Sequence, residues 1–254
     1  MNVLVTFAVQ AEFAPWRERK KFHTVTVGKF EMLQTQMGRA TVDFLVTGMG
    51  ADNARRGAEA AMTLPHALCI AAGFAGALRE NYNVGDVLAA RAVQRMGTSE
   101  TMASSPILHR AACEHQALDA NLFLTSDRVL RTAAEKRQLS AQAAAVDMES
   151  FATLSAAQRK NLPALALRVV SDRHDDVLPA DIETTLDARG RVKVAAVAQY
   201  IASHPLRLPS LIRLGRHSRA AAESLARFLE SFIQDLSSRE DGWPPRELQE
   251  AAAQ

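Results

Sequence analysis

Ala143-Ala144-Ala145-Val146-Asp147-Met148-Glu149-Ser150 is a short apolar run that ends in two carboxylates flanking a methionine. The run predicts a buried strand over 143–146, and the residues from Met148 to Arg159 predict a helix behind it. The pattern recurs where Leu165-Ala166-Leu167-Arg168-Val169-Val170 ends in Ser171-Asp172. Acids at the carboxyl ends of two strand-like runs stand where an open α/β sheet forms its ligand crevice.

Working outward, Asn2 to Val9 is an apolar, β-branched run that predicts a first buried strand. Gln10-Ala11-Glu12-Phe13 then opens a short helix that Pro15 should stop or bend. Glu12 is therefore a third carboxylate just past a strand. His23 to Val27, Phe30 to Met37 and Thr41 to Thr47 predict three more strands, the first two joined by a turn at Gly28-Lys29. Gly48-Met49-Gly50 leads into an Ala-rich helix over 51–64, with Asp52 or Asn53 as its cap. Asn53 stands where a dinucleotide fingerprint needs its third glycine, so Gly48 and Gly50 are not read as one.

The strand Ala67 to Ala72 runs into Gly73-Phe74-Ala75-Gly76-Ala77-Leu78, which reads as a turn with two glycines, and Gly85 to Ala90 starts the next strand. Residues 94–118 are polar and without clear period, which predicts a loop with a short helix at most. Asn121 to Thr125 predicts a strand, Val129 to Gln142 a helix, and Leu165 to Val170 completes the sheet. The alternation argues for an α/β protein with a largely buried sheet. After Asp172 come the charged loop Arg173-His174-Asp175-Asp176, a helix around Lys193 to Ser203, and an amphipathic helix with Leu225, Phe228, Leu229, Phe232 and Ile233 at helical spacing. No linker interrupts residues 1–236, which read as one domain, with 237–254 a polar tail.

Composition narrows the function. Among 254 residues, 48% are hydrophobic and 23% charged, an ordinary globular balance with ample core material. A net charge of +2 carries no nucleic-acid footprint. Cys69 sits in an apolar run and reads as a buried thiol rather than a disulfide partner, which fits a reducing cytoplasm. The first nine residues lack the basic leader and cleavage site of a signal peptide, and no run reaches the ~18 apolar residues a membrane span needs. His and Cys do not cluster at metal-ligand spacing, so no metal or cofactor is expected.

Glu12, Gly48-Met49-Gly50, Gly73-Phe74-Ala75-Gly76, Gly85-Asp86-Val87, Val146-Asp147-Met148-Glu149-Ser150 and Ser171-Asp172, in this order, resemble the nucleoside phosphorylase and nucleosidase superfamily. The likeness covers residues 1 to about 176. It implies a three-layer α/β/α sandwich with a central mixed twisted sheet, and cleavage of a purine nucleoside at its N-glycosidic bond through an oxocarbenium-like sugar. Under that resemblance Glu149 would hold the ribose 2′ and 3′ hydroxyls, since a carboxylate offers two acceptor oxygens to two donors. Met148 would lie against the sugar, Asp172 would be the acid at purine N7, and Glu12 would activate the attacking water. Backbone around Gly73, Phe74, Ala75 and Gly76 would approach the nucleophile, with Val146 and Ser171 completing the substrate-binding set. A helix cap for Asp172 and a first-turn carboxylate for Glu149 are the plain structural alternatives. Asp147 reads as structural, and His174 as an exposed loop histidine, with tuning or relay of the Asp172 proton as the alternative.

Related phosphorylases carry a Gly and an Arg just after the first strand, and Phe7-Ala8-Val9-Gln10-Ala11 supplies neither, which favours water over phosphate. Phosphate remains open as a co-substrate, with Arg39, Arg55, Arg56 and Arg173 as its candidate ligands. Phe74 stands where the nucleosidases commonly have Ser. Leu178-Pro179, the turn from Asp187 to Arg191 and the stretch from Pro205 to Leu211 resemble the hopanoid-associated phosphorylases, which release adenine from adenosylhopane. Leu208, Leu211, Ile212 and Leu214 among Arg207, Arg213, Arg216 and Arg219 would suit peripheral membrane contact, or simply a helix packed on its own protein. The resemblance also implies a homo-oligomer, a dimer or larger. A purine-binding protein without turnover and a peripheral interaction module are the competing classes.

Overall fold

Val3, Val5 and Phe7 face one side of the first strand and Leu4 the other, and all are buried. The alternation arises because successive strand side chains point to opposite faces, and both faces here carry helices. The computed structural model describes residues 1–178, Lys193 and residues 208–238. Strand β1 (Asn2–Phe7) runs parallel to β4 (Ala40–Val46) on one side and β5 (Leu68–Ala77) on the other. Beyond β4 lie β3 (Phe30–Met37) and then β2 (His23–Val27), both antiparallel to their neighbours and joined at Gly28, whose φ of 57° suits glycine.

On its other side the sheet curls back on itself. β5 pairs in parallel with β10 (Ala164–Asp172), which pairs antiparallel with β6 (Val87–Arg95). β6 runs parallel to β8 (Leu118–Thr125), β8 to β9 (Ala145–Asp147), and β9 returns antiparallel onto β5 through Gly76 and Val146. The central mixed sheet is thus as expected, and one half of it also closes into a small barrel of β5, β10, β6, β8 and β9. A short β7 (Thr101–Ala103) hangs on β6.

Helices α1 (Gln10–Arg19) and α6 (Leu208–Ser238) cover one face, where Phe13, Trp16, Leu225, Leu229, Phe232 and Ile233 pack on β1 and β4. Helices α2 (Ala51–Ala61) and α5 (Ser150–Gln158) cover the other with Ala58, Ala61, Leu154 and Ala157. The other helices among the described residues are α3 (Pro106–Glu114) and α4 (Ala133–Leu139).

Several expectations are corrected. Pro15 does not stop α1, which runs to Arg19, because the helix is held by its buried neighbours Phe13 and Trp16 despite the missing N–H. Residues 73–77 are strand, not turn, since β10 and β9 both pair with them. The polar region 94–118 holds the end of β6, β7, α3 and the start of β8. The helix expected from Val129 begins only at Ala133, where Thr132 and Glu135 form a capping box. Neither Asp52 nor Asn53 caps α2: Gly50 is the cap residue, and Asn53 donates to the Met49 carbonyl at 2.8 Å. α6 absorbs the arginine-rich stretch from Leu208 and runs through Ser237 and Ser238, past the expected start of a tail. Apart from Lys193, the helix expected around Lys193 to Ser203 and the turn from Asp187 lie outside the described residues.

Candidate active site

Glu12 lies in the first turn of α1, and its carboxylate turns back onto the chain it has just left. Oε2 accepts from the Ala8 and Val9 N–H groups at 2.7 and 2.9 Å, and Oε1 from the Phe74 N–H at 2.7 Å. The side chain is buried. Burial raises its pKa above the usual 4.5, opposed by the Arg168 charge and the three N–H donors. Gly73 makes this seat possible. Its φ of 148° is one that side chains rarely adopt, and a Cβ there would collide with Arg168 Nη1 and lie 2.6 Å from Glu12 Oε1.

Arg168, on β10, is 1% exposed and is the cation around which the acids gather. Its Nε lies 2.8 Å from Asp147 Oδ2 and donates to Ser150 Oγ at 3.0 Å, while Nη1 donates to the Ala72 carbonyl at 3.3 Å. Its Nη2 is 3.7 Å from Glu149 Oε2. Asp147 also accepts from Thr125 Oγ1 and from the Ser150 N–H. Glu149 Oε1 accepts from the Gly50 N–H at 2.7 Å, which ties the Gly48-Met49-Gly50 loop to the strand-to-helix corner. Three buried carboxylates thus share one guanidinium. Desolvation, helped by the charges of Asp147 and Glu12, pushes Glu149 up to about 7 against the pull of Arg168. Glu149 is therefore half protonated near neutrality.

Asp172 closes β10 beside a β-bulge, where the pairing with β5 slips between Val170 and Asp172. Bulges of this kind re-aim a side chain. The carboxylate stands by Gly76, where a Cβ would come within 2.9 Å of Oδ2 and 3.5 Å of Val146 Cγ1. Ser171 Oγ donates to Oδ1 at 2.9 Å. Lys136 Nζ donates to Oδ2, to the Arg173 carbonyl at 2.7 Å and to the Asp176 carbonyl at 3.3 Å. Gly73 and Gly76 set the two clusters three residues apart along β5, about 10 Å at strand rise.

Glu12, Gly73, Phe74, Asp147 and Glu149 therefore meet around Arg168, and Gly76, Val146, Ser171 and Asp172 meet around Lys136. Ala75 lies between them as the acceptor of a 3.4 Å bond from Ser171 Oγ, and Met148 is half-buried at the corner before α5. The two cations were not picked out from the sequence. Arg168 left a signal, a charge inside an apolar strand run; Lys136 left none, because a lysine in a short polar helix reads as solvated. Of the candidate phosphate ligands, Arg55 pairs with Glu59, Arg56 with Asn53 and Arg173 with Asp175, all on exposed faces. Arg39 is exposed, its backbone N–H donating to Ser237 Oγ. His174 is not exposed as expected: its side chain is 14% accessible, between Glu80 and Asp175. Folding also gathers His109, Cys113 and Asp119 with ligand atoms within 4.8 Å, a cluster the linear spacing hid, but Arg91 clamps the Asp119 carboxylate.

The profile of the Phosphorylase superfamily matches residues 2–202, most of the chain. The chain belongs to that superfamily. It is an enzyme of the nucleosidase and nucleoside phosphorylase kind. Among solved structures, the chain resembles the 5′-methylthioadenosine/S-adenosylhomocysteine nucleosidase of Neisseria meningitidis in complex with methylthio-immucillin-A. The two share 20% identity at a TM-score of 0.71 over 92% of this chain and 99% of that one. It also resembles the futalosine hydrolase of Helicobacter pylori, at 16% identity and a TM-score of 0.71, over 93% and 98% of the two chains. At such identities the likeness shows the phosphorylase-superfamily fold. No relative of curated function matches by sequence.

Proposed function

We propose that the protein is an N-ribosyl hydrolase that releases a purine base from a nucleoside or an adenosyl conjugate. The observation that carries this reading is the seat of Glu12. Backbone N–H groups that could cradle a phosphate, those of Ala8, Val9 and Phe74, are already taken by its carboxylate. A second carboxylate, Glu149, and the structural Asp147 share the one buried guanidinium beside it. A dianion entering there meets more negative than positive charge, whereas water needs only a base. A carboxyl whose pKa is raised by burial suits that base.

In this reading Asp172 transfers its proton to purine N7 as the C1′–N9 bond breaks and its electrons pass to the base. Water adds to C1′ and loses a proton to Glu12, and solvent returns the proton from Glu12 to Asp172. Glu149 accepts from the 2′ and 3′ hydroxyls and Met148 lies against the sugar. The acids near the sugar favour the positive charge it develops. Ser171 orients the Asp172 carboxylate through their 2.9 Å bond.

A second reading, phosphorolysis of adenosylhopane, draws on the first turns of α6, where Leu208 and Ile212 are 39% and 48% exposed. No helix among the described residues is long and apolar enough to cross a membrane. We expect a homo-oligomer, which light scattering would detect. The deciding experiment measures base release from methylthioadenosine, S-adenosylhomocysteine, adenosine, inosine and adenosylhopane, each with and without phosphate. Hydrolysis predicts release at the same rate without phosphate, sharply reduced but still measurable in Asp172→Asn. Release that requires phosphate would overturn the hydrolytic reading, and no release from any purine nucleoside would overturn the enzyme-substrate assignment.

A further inference from the structure

The acids that surround the sugar end of the site have a counterpart at its base end. Lys136 lies on α4, has no solvent-exposed surface, and directs its ammonium at Asp172. An ammonium has three N–H donors. All three are used here, on Asp172 Oδ2 and on the carbonyls of Arg173 and Asp176. A lysine is almost never fully buried without a partner, and desolvating its charge has a large cost unless the pairing geometry offsets it. A structural role alone would be met by tying down the 173–176 turn. The Asp172 contact goes further, because it places a fixed positive charge against the carboxylate that closes β10.

We propose that Lys136 is a positioning residue of the cleavage reaction, which holds Asp172 in line with the leaving base and stabilises the anion Asp172 becomes when its proton has left. The inference rests on the nucleoside-cleaving reading of the site. The balance of the step is that of an acid with a counter-ion in place. The Asp172 O–H bond breaks, the N7–H bond forms, the C1′–N9 electrons stay on the base, and the new carboxylate already has an ammonium within hydrogen-bond reach. Countercharges fixed before the reaction need no reorganisation during it. The site is then polarised along the scissile bond, with Glu12 and Glu149 at the end where positive charge develops and Lys136 at the end where negative charge departs. Lys136 acts on the leaving base through Asp172.

The test compares two leaving groups. Adenosine and methylthioadenosine require protonation of the base, whereas 4-nitrophenyl β-ribofuranoside leaves as a stable phenolate. Lys136→Met should lower kcat for the purine substrates by about 100-fold, within the range of general-acid contributions. With the nitrophenyl riboside the loss should stay below about threefold. Lys136→Gln keeps donors for the Arg173 and Asp176 carbonyls without the charge, and should show the same split if the methionine variant does not fold. Lys136→Arg should recover most of the purine activity. In an Asp172→Asn background the lysine substitutions should add little, since non-additivity is the signature of residues that act as a unit. Equal losses with both leaving groups, or additive losses with Asp172→Asn, would reduce Lys136 to a structural anchor and overturn the inference. If the wild-type protein cleaves purine nucleosides and Asp172→Asn is strongly impaired, but Lys136→Gln is unimpaired, this inference alone falls. If the wild type cleaves none of them, the reading beneath it falls.

Discussion

Glu149→Gln should make the protein more stable at alkaline pH while damaging its function. The Glu149 carboxyl is raised from its usual 4.5 to about 7, first by burial and then by Asp147 and Glu12, against the attraction of Arg168. A carboxyl that is raised on folding contributes stability that is complete below pH 4.5 and is lost as pH climbs through 7. At 1.36 kcal/mol per pH unit, the loss reaches roughly 3 kcal/mol near pH 7 and changes little above it. Glutamine has the same shape, keeps an acceptor for the Gly50 N–H, and never ionises. Variant and wild type should therefore melt nearly together at pH 4.5, diverge between pH 4.5 and 7, and keep a gap of roughly 6–12 °C in favour of the variant from pH 7 to pH 9, given about 2–4 °C per kcal/mol for a chain of this size. Thermal melts across that range, with urea titrations at both ends, are the assay. A gap in Tm that stays constant from pH 5 to pH 9 would refute the argument, because it would mean that Glu149 ionises no more reluctantly in the fold than outside it. The same protonation carries a kinetic corollary: as pH falls below 7 the wild type loses the acceptor proposed for the ribose hydroxyls, so KM should rise while kcat changes less.

Gly73→Ala should cost about 1–3 kcal/mol, as overpacking does, because the new methyl group meets Arg168 and Glu12 at a backbone angle alanine rarely adopts; a urea midpoint equal to wild type would contradict it. Arg168→Met should destabilise by about 3–5 kcal/mol, the usual result of leaving buried charges without their partner, since Asp147 and Glu149 both face that guanidinium; a loss under about 1 kcal/mol by the same titration would show that the acids are neutral in the fold. Leu229→Ala, at a fully buried position of α6, should cost about 2–5 kcal/mol with base release unaffected in the folded fraction; an undiminished urea midpoint would show that α6 does not cover the sheet.

The legible parts of the fold were those whose sequence pattern is set by burial on the strand itself. The runs in β1, β5 and β10 are apolar because both of their faces are covered, and an acid lies just beyond the end of β1 and another at the end of β10, so the places of Glu12 and Asp172 relative to the strands were legible in the sequence. The pairing at residues 73–77 could not. Two glycines in five residues are the local signature of a turn, yet Gly73 and Gly76 are there because Glu12, Arg168 and Asp172 need the space that side chains would fill. That requirement comes from segments far away in sequence. Lys136 was hidden for a related reason: its neighbours on α4 specify a capped surface helix, and only the approach of β10 turns one face of that helix inward.

Charge placement bears on the nucleophile more directly than any single motif. A phosphorolytic site has to hold a dianion beside C1′, and it does so with cations and free N–H donors. Here the cation nearest Glu12, Arg168, is already shared by Asp147 and Glu149, and the local N–H groups are spent on Glu12. Above pH 7 Glu149 is ionised as well, so the local charge becomes more negative as phosphate itself becomes fully dianionic. Competition by added phosphate against base release should therefore weaken as pH rises from 6 to 8. A phosphorolytic enzyme needs the opposite trend, since its co-substrate must bind best where it is most charged. Inhibition that strengthens over that interval would mean that another cation reaches the nucleophile's place, and the hydrolytic reading would have to give way.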